Sequence, residues 1–261
     1  MARKRKPMVT VKGDKVAHGK KLPLTADRGL DRLMSVQRPV VLAHLRSIRR
    51  RHPDAVSAEV IRMLERRYLA TVTTSGAAVG ATAVIPAIGT ATTLALSGVE
   101  TAAFLEATAL FAQSVSEVHG LPVNDPDRAR ALVMAMMLGK EGSDLVRQWG
   151  AEALEGDVTR RVYWGEVVTT SLPRAVVAPL TGKLKNAFLK KFAVTGSTSI
   201  IGKAIPFGIG AVIGGTGNHL LGRRVLQSSR VAFGDAPIAI AEAESQSFAT
   251  SAGGDIFRIE Q

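Results

Sequence analysis

Apolar residues recur at every fourth position from 56 to 72. Val56, Val60, Leu64, Tyr68 and Val72 form one line, and Arg62, Glu65, Arg66 and Arg67 fall off it. A helix of 3.6 residues per turn places such a line on one face. The stretch therefore predicts an amphipathic helix facing a core or a membrane, with Asp54 as its N-terminal cap. Upstream, helical pattern begins near Ala26 in "ADRGLDRLMSVQ" and resumes in "VVLAHLRSIRRRH". Pro39 between them should bend or split the helix.

The pattern then loses its charged side. Residues 68–99 form an uncharged run of 32 residues, long enough to cross a bilayer. Its content argues against a simple span: nine residues are Val, Ile or Leu, eight are Ala, seven Thr and four Gly, with Pro86 among them. Nine such apolar residues contribute about −4 kcal/mol on the insertion scale, which the Thr, Ser, Gly and Pro content largely offsets. A buried core segment or a shallow membrane-dipping hairpin fits better, with a break between two helices in 75–89. A long apolar helix follows, ending near Gly120 and interrupted by Glu100 and Glu106. Asp125, Pro126 and Gly139 mark the cap, first position and stop of the next helix, and a short acidic helix comes after it. Residues 180–196 predict a short basic amphipathic helix. Leu184, Ala187, Phe188 and Phe192 cluster on one side, with Lys183, Lys185, Lys190 and Lys191 around them. Such a helix lies in a membrane interface or packs on the domain core. No run of alternating β-branched residues stands out. The expectation is an all-α, multi-helix single domain over 25–235. A disordered basic arm (1–24) and a poorly ordered acidic tail (236–261) flank it.

Composition sharpens this picture. Hydrophobic residues make up 46% and aromatics only 5% of the 261 residues, so the apolar mass is mostly small aliphatic, which suits close helix approach. The absence of Cys excludes disulfides, thiolate metal sites and cysteine nucleophiles. The formal net charge of +12 is uneven. Residues 1–67 hold 18 Lys/Arg against 6 Asp/Glu, and 158–230 hold 11 against 1. Residues 100–157 reverse the balance, with 4 against 10. Basic blocks of this kind suit phosphates, of nucleic acid or of lipid headgroups. No continuous apolar stretch follows Arg3, Lys4, Arg5 and Lys6, which is unlike a secretory signal peptide.

The chemistry-bearing motifs fail on spacing. In "GSTSIIGKA" (196–204) five residues separate Gly196 from Gly202 where a phosphate loop needs four, and Ala204 replaces the magnesium-binding hydroxyl. After Gly208 and Gly210 the dinucleotide fingerprint requires glycine where Ile213 stands. The histidines (18, 44, 52, 119, 219) form no metal-binding pair, and no nucleophile elbow occurs. The expectation is no enzyme, no cofactor and no metal. A carboxylate on an apolar helix needs a partner. Lys203, Asn218 and His219 are candidate partners for Glu100, in a polar contact between helices or in an acid/base pair.

Two segments echo one another. "VIPAIGTATTLALSGVE" (84–100) and "AIPFGIGAVIGGTGNHLLGRRV" (204–225) share Ile-Pro, then Ile-Gly, then apolar helix. Gly76/Gly80 and Gly210/Gly214 give each a small-xxx-small pattern nearby, which lets another backbone approach. With "GLPVNDPDRARALV" between them, these segments resemble the EcsC family of bacterial proteins over roughly 54–233. The likeness is strongest at 203–233, through Pro206, Gly210, Gly214 and Asn218. The resemblance implies an α-helical, membrane-associated protein and no catalytic residues.

The sequence thus leads to a non-catalytic helical protein, cytoplasmic and peripheral to or partly inserted in the inner membrane. It would contact anionic lipid through Arg3, Lys4, Arg5, Lys6, Lys183, Lys185, Lys190 and Lys191, and scaffold a membrane or transporter complex. Glu100, Lys203, Asn218 and His219 would form an interior polar cluster. The alternative is a soluble helical domain whose basic arm binds nucleic acid without sequence preference. A lipid-modifying or hydrolytic use of Glu100 or His219 is a third reading.

Overall fold

The computed structural model describes residues 24–34, 36–82, 90–154, 163–197 and 209–237. The chain is all-α, with no strand among the described residues. In order come α1 (Leu24–Leu33), α2 (Arg38–Arg49), α3 (Ser57–Thr82), α4 (Thr90–Val118), α5 (Pro126–Leu138), α6 (Lys140–Ala153), the short α7 (Trp164–Glu166) with a π-helical turn (Val167–Ser171), α8 (Arg174–Ser197) and α9 (Ile209–Phe233). Pro39 does split the first helical region, and stands in the first turn of α2.

Local signals explain several boundaries. The Asp125 carboxylate accepts from the backbone N–H of Asp127 at 2.8 Å and of Arg128 at 3.4 Å, and Pro126 opens α5. Gly139, at φ +69, ends it and starts α6 with no intervening loop. Asp54 is not the cap of α3. That helix starts at Ser57, where the Glu59 carboxylate reaches back to the Val56 N–H at 3.2 Å. Val56 consequently stands 54% exposed, outside the buried line of Val60, Leu64, Tyr68 and Val72. Within the stretch expected to separate two helices, α3 continues through Gly76 and Gly80 to Thr82 and α4 begins at Thr90; residues 83–89 lie outside the described residues. The basic helix of 180–196 is the second part of the longer α8, which carries Pro179 inside it.

One core joins these elements. Leu45 and Ile48 of α2, Val60 and Leu64 of α3, Ala109 and Val115 of α4, Leu132 and Met134 of α5, and Leu180 and Leu184 of α8 are all buried. Two polar ties cross it. Glu117, buried on α4, receives the Arg38 guanidinium in a bidentate pair, Nε to Oε2 at 3.1 Å and Nη2 to Oε1 at 2.7 Å. This bonding raises the Arg38 pKa, because it favours the charged form. Arg128 donates to the carbonyls of Val168 (2.8 Å) and Leu172 (2.6 Å), occupying acceptors that a π-helical end leaves open.

Candidate functional site

Helices α3 and α9 pack antiparallel, and their register can be read from residue pairs. Arg230 pairs with Glu65 through two bonds of 2.9 and 2.8 Å. Gly222 faces Leu69 and Val72, and Asn218 donates to the Val72 carbonyl at 3.1 Å. Gly214 meets Gly76 backbone to backbone. A Cβ added at Gly76 would fall 2.6 Å from the Gly214 carbonyl oxygen and 2.6 Å from Asn218 Nδ2. Only glycine fits there, so the small-xxx-small pattern sets the separation of these two helices.

This register brings the uncharged parts of three helices to one end of the molecule. They are the C-terminal part of α3 beyond Arg67, the N-terminal part of α4 before Glu100, and the N-terminal part of α9 before Arg223. From Arg67 to Thr82, α3 rises about 22 Å at 1.5 Å per residue. The exposed positions here are Ala70, Thr71, Thr74, Ala78 and Ala81 on α3, Gly98 and Val99 on α4, and Thr216, Gly217 and Leu220 on α9. Val99 is 67% and Leu220 55% exposed, among the most exposed large apolar side chains described. Three hydroxyls bond within the protein. Thr74 donates to the Ala70 carbonyl at 2.8 Å, Ser75 to Val72 at 3.1 Å, and Thr73 meets His219 Nδ1 at 3.1 Å. Such bonds lower the polarity that these three side chains present to their surroundings. At the base of this tip, the same register places Arg66 and Arg67 of α3 level with Arg223 and Arg224 of α9. Arg66, Arg223 and Arg224 are exposed.

Glu100 lies inside the tip, half-buried, where Asn218 Nδ2 donates to its Oε1 at 2.7 Å. Asn218 therefore ties α9 to both α3 and α4. Of the expected polar cluster, Glu100 and Asn218 are bonded to each other, His219 meets Thr73 of α3 instead, and Lys203 lies outside the described residues. Glu106 points away and is exposed. Asn218 is thus a partner of Glu100, in a polar contact between α4 and α9.

The basic side chains of α8 divide into two kinds. Lys185 is bonded to Asp31 at 2.8 Å, and Lys191 to the Leu138 carbonyl at 2.9 Å, with Glu141 at 3.7 Å. Lys183 and Lys190 are exposed. The apolar side of the helix, through Leu184 and Phe188, is buried in the core. That face is therefore not offered to a membrane interface, contrary to one of the two sequence expectations. Arg3, Lys4, Arg5 and Lys6 lie outside the described residues.

Two grooves flank the bundle. The first, about 670 Å³, lies between α4, the α5–α6 corner and α9. Phe104, Leu138, Trp164, Leu221 and Val225 form its apolar wall, and Lys140, Lys191 and Arg224 supply its positive charge. Sequence reasoning had no signal for it, because its wall comes from separate helices. The second, about 750 Å³, is bounded by α1 to α4 and includes His44, Arg67 and Glu106. Burial, together with the nearby Arg67 charge, pushes the His44 pKa down. Among the described residues no helix is long and apolar enough to cross a membrane, and no group of side chains could hold a metal ion. No family model, curated protein or solved structure matches the chain.

Proposed function

We propose that this chain is a non-catalytic, membrane-associated helical protein that dips its uncharged tip into an anionic leaflet. The observation that carries the reading is the tip: three uncharged helix ends, α3 and α9 close-packed at Gly76 and Gly214 and α4 joined to them through Asn218 and Glu100, above a level of arginines. Apolar side chains such as Val99 and Leu220 enter the interface. Arg66, Arg223 and Arg224 meet lipid phosphates, each basic residue adding about 1 kcal/mol near an anionic surface. The described part of α3 beyond Arg67 rises about 22 Å, short of a hydrocarbon core of roughly 30 Å, which favours shallow insertion over a full span. The basic arm would add long-range attraction to the same surface. The place so described is the cytoplasmic face of a bacterial inner membrane, where such a protein serves as a scaffold for a membrane or transporter complex. The resemblance to the EcsC family points the same way.

Flotation with liposomes tests this. Detergent-free protein should float with vesicles containing anionic phospholipid, and poorly with zwitterionic ones. Failure to float with either, or equal retention by nucleic acid and by vesicles at physiological salt, would overturn the reading in favour of non-specific polyanion binding.

A further inference from the structure

The groove bounded by α1 to α4 carries two polar groups that are short of partners. Arg67 of α3 is half-buried there. A guanidinium has five N–H donors. Among the described residues Arg67 makes one hydrogen bond, from Nη1 to the Ser47 hydroxyl at 3.2 Å, and forms no ion pair. A cation held partly out of water gains from an anion close by. His44 of α2, also half-buried, lines the same space, and among the described residues neither of its ring nitrogens has a hydrogen-bond partner. Burial first, and then the Arg67 charge, lower the His44 pKa, so the ring is neutral at pH 7 and keeps one N–H to donate. Arg32 adds a second positive charge from α1, and Glu106, exposed on α4, is the one acidic residue of the lining. The rest of the wall is largely apolar and accessible. Leu33, Val36 and Leu110 keep part of their surface, and Val40 is 53% exposed. Thr71 and Ala103 line the groove at the foot of the tip.

We propose that this groove binds the phosphate of an anionic phospholipid, with Arg67 as the main contact. The remaining Arg67 donors grip two phosphate oxygens as a fork, and the His44 N–H donates to one of them. One acyl chain lies along Leu33, Val36, Val40 and Leu110. The volume of about 750 Å³ falls in the range of small-molecule sites. A free phosphate would use the same two donors but leave the apolar wall bare. The lipid source rests on the membrane reading, which sets the foot of the tip at the depth of the phosphates. The test uses monomeric lipid and no vesicles, so flotation can succeed where it fails, and the reverse.

The full chain is titrated, below micellar concentrations, with dihexanoyl phosphatidylglycerol, dihexanoyl phosphatidylcholine and inorganic phosphate. Calorimetry reads the affinity, and NMR follows the imidazole signals, with His44→Gln identifying those of His44. Expected is saturable binding of the phosphatidylglycerol and a shift of the His44 signals. Inorganic phosphate and the phosphatidylcholine, whose choline cation would meet Arg32 and Arg67, should each bind roughly tenfold more weakly. Arg67→Gln should weaken the lipid roughly tenfold and His44→Gln roughly threefold. Arg62→Gln removes the same charge from the outer face of α3 and should leave binding unchanged. Val40→Gln, at an exposed position, tests the chain path independently of the arginine. It should weaken the lipid roughly threefold and leave inorganic phosphate unaffected. No saturable binding, inorganic phosphate or the phosphatidylcholine bound as tightly as the phosphatidylglycerol, or Arg67→Gln no weaker than Arg62→Gln would overturn the proposal.

Discussion

The two halves of α3 carry the same buried line but face different surroundings. In the N-terminal half, Val60, Leu64 and Tyr68 pack side chain against side chain, and the outer face holds Glu59, Arg62 and Arg66. Tyr68 stacks on Phe111 at 4.7 Å, and its hydroxyl meets Thr108 at 2.9 Å. In the C-terminal half the line ends in Gly76, which packs backbone against backbone, and the outer face holds Ala and Thr. The first half is built as a helix in water is built. The second has no charged face at all, although its packing is just as close. The difference teaches that the outer residues change while the buried line continues, through Val72 to Gly76. On the membrane reading proposed above, the outer face of the second half meets lipid where that of the first meets water.

Substitutions can break this contrast at several points. The largest effect is expected outside α3, at the tie between α2 and α4, where Arg38→Ala would leave the Glu117 carboxylate buried and unpaired. The loss should be about 3 kcal/mol in urea unfolding, and Arg38→Lys should recover only part of it. In the tip, Gly76→Leu must push α9 away and should cost about 2 kcal/mol or more, while Ala78→Leu on the exposed side should stay within roughly 0.5 kcal/mol. Equal effects at the two positions would mean that Gly76 does not set the helix separation. Asn218→Ala removes the tie to Glu100 and Val72 and should cost about 1 kcal/mol, with Glu100→Gln less harmful, since its amide oxygen still accepts from Asn218.

The smallest effect is a pH dependence. Burial lowers the pKa of His119, which stacks on Phe233 at 5.1 Å. Its folded pKa lies below the unfolded value of about 6.5, so the unfolded chain takes up the proton first. The contribution is complete above that unfolded value and is lost as pH falls below it toward the folded pKa. His44 acts in the same direction. Melting should therefore weaken on acidification from pH 7, by less than about 1.4 kcal/mol per pH unit per histidine, and His119→Gln should flatten part of the slope.

Much of the architecture was legible because its signals are local. The Asp125–Pro126 start and Gly139 stop of α5 depend on residues adjacent in sequence, and the four-residue spacing of Val60 to Val72 needs no partner to be seen. Glu100 stood out as a charge in an apolar helix, and Asn218 was one of few polar residues able to meet it. The Arg38–Glu117 pair was missed. Glu117 reads as an ordinary residue near a helix end, and its partner is 79 positions away. The available signal was that residues 111–116 just before it hold no charge, so that stretch could be buried all round and a carboxylate at its end would then need a cation. The Asp54 cap was misplaced because Glu59 closes the start of α3 three residues later. The groove beside α9 could not be read at all, since Phe104, Trp164 and Val225 meet only through the packing of separate helices.

The absence of cysteine allows a direct measurement of the central claim. Single substitutions Thr74→Cys, Ala78→Cys and Leu220→Cys in the tip, and Arg62→Cys in the charged half, are each labelled with an environment-sensitive fluorophore and mixed with anionic vesicles. The account predicts blue-shifted, brightened emission at the three tip positions and none at Arg62→Cys. No change at the tip, or an equal change at Arg62→Cys, would contradict it.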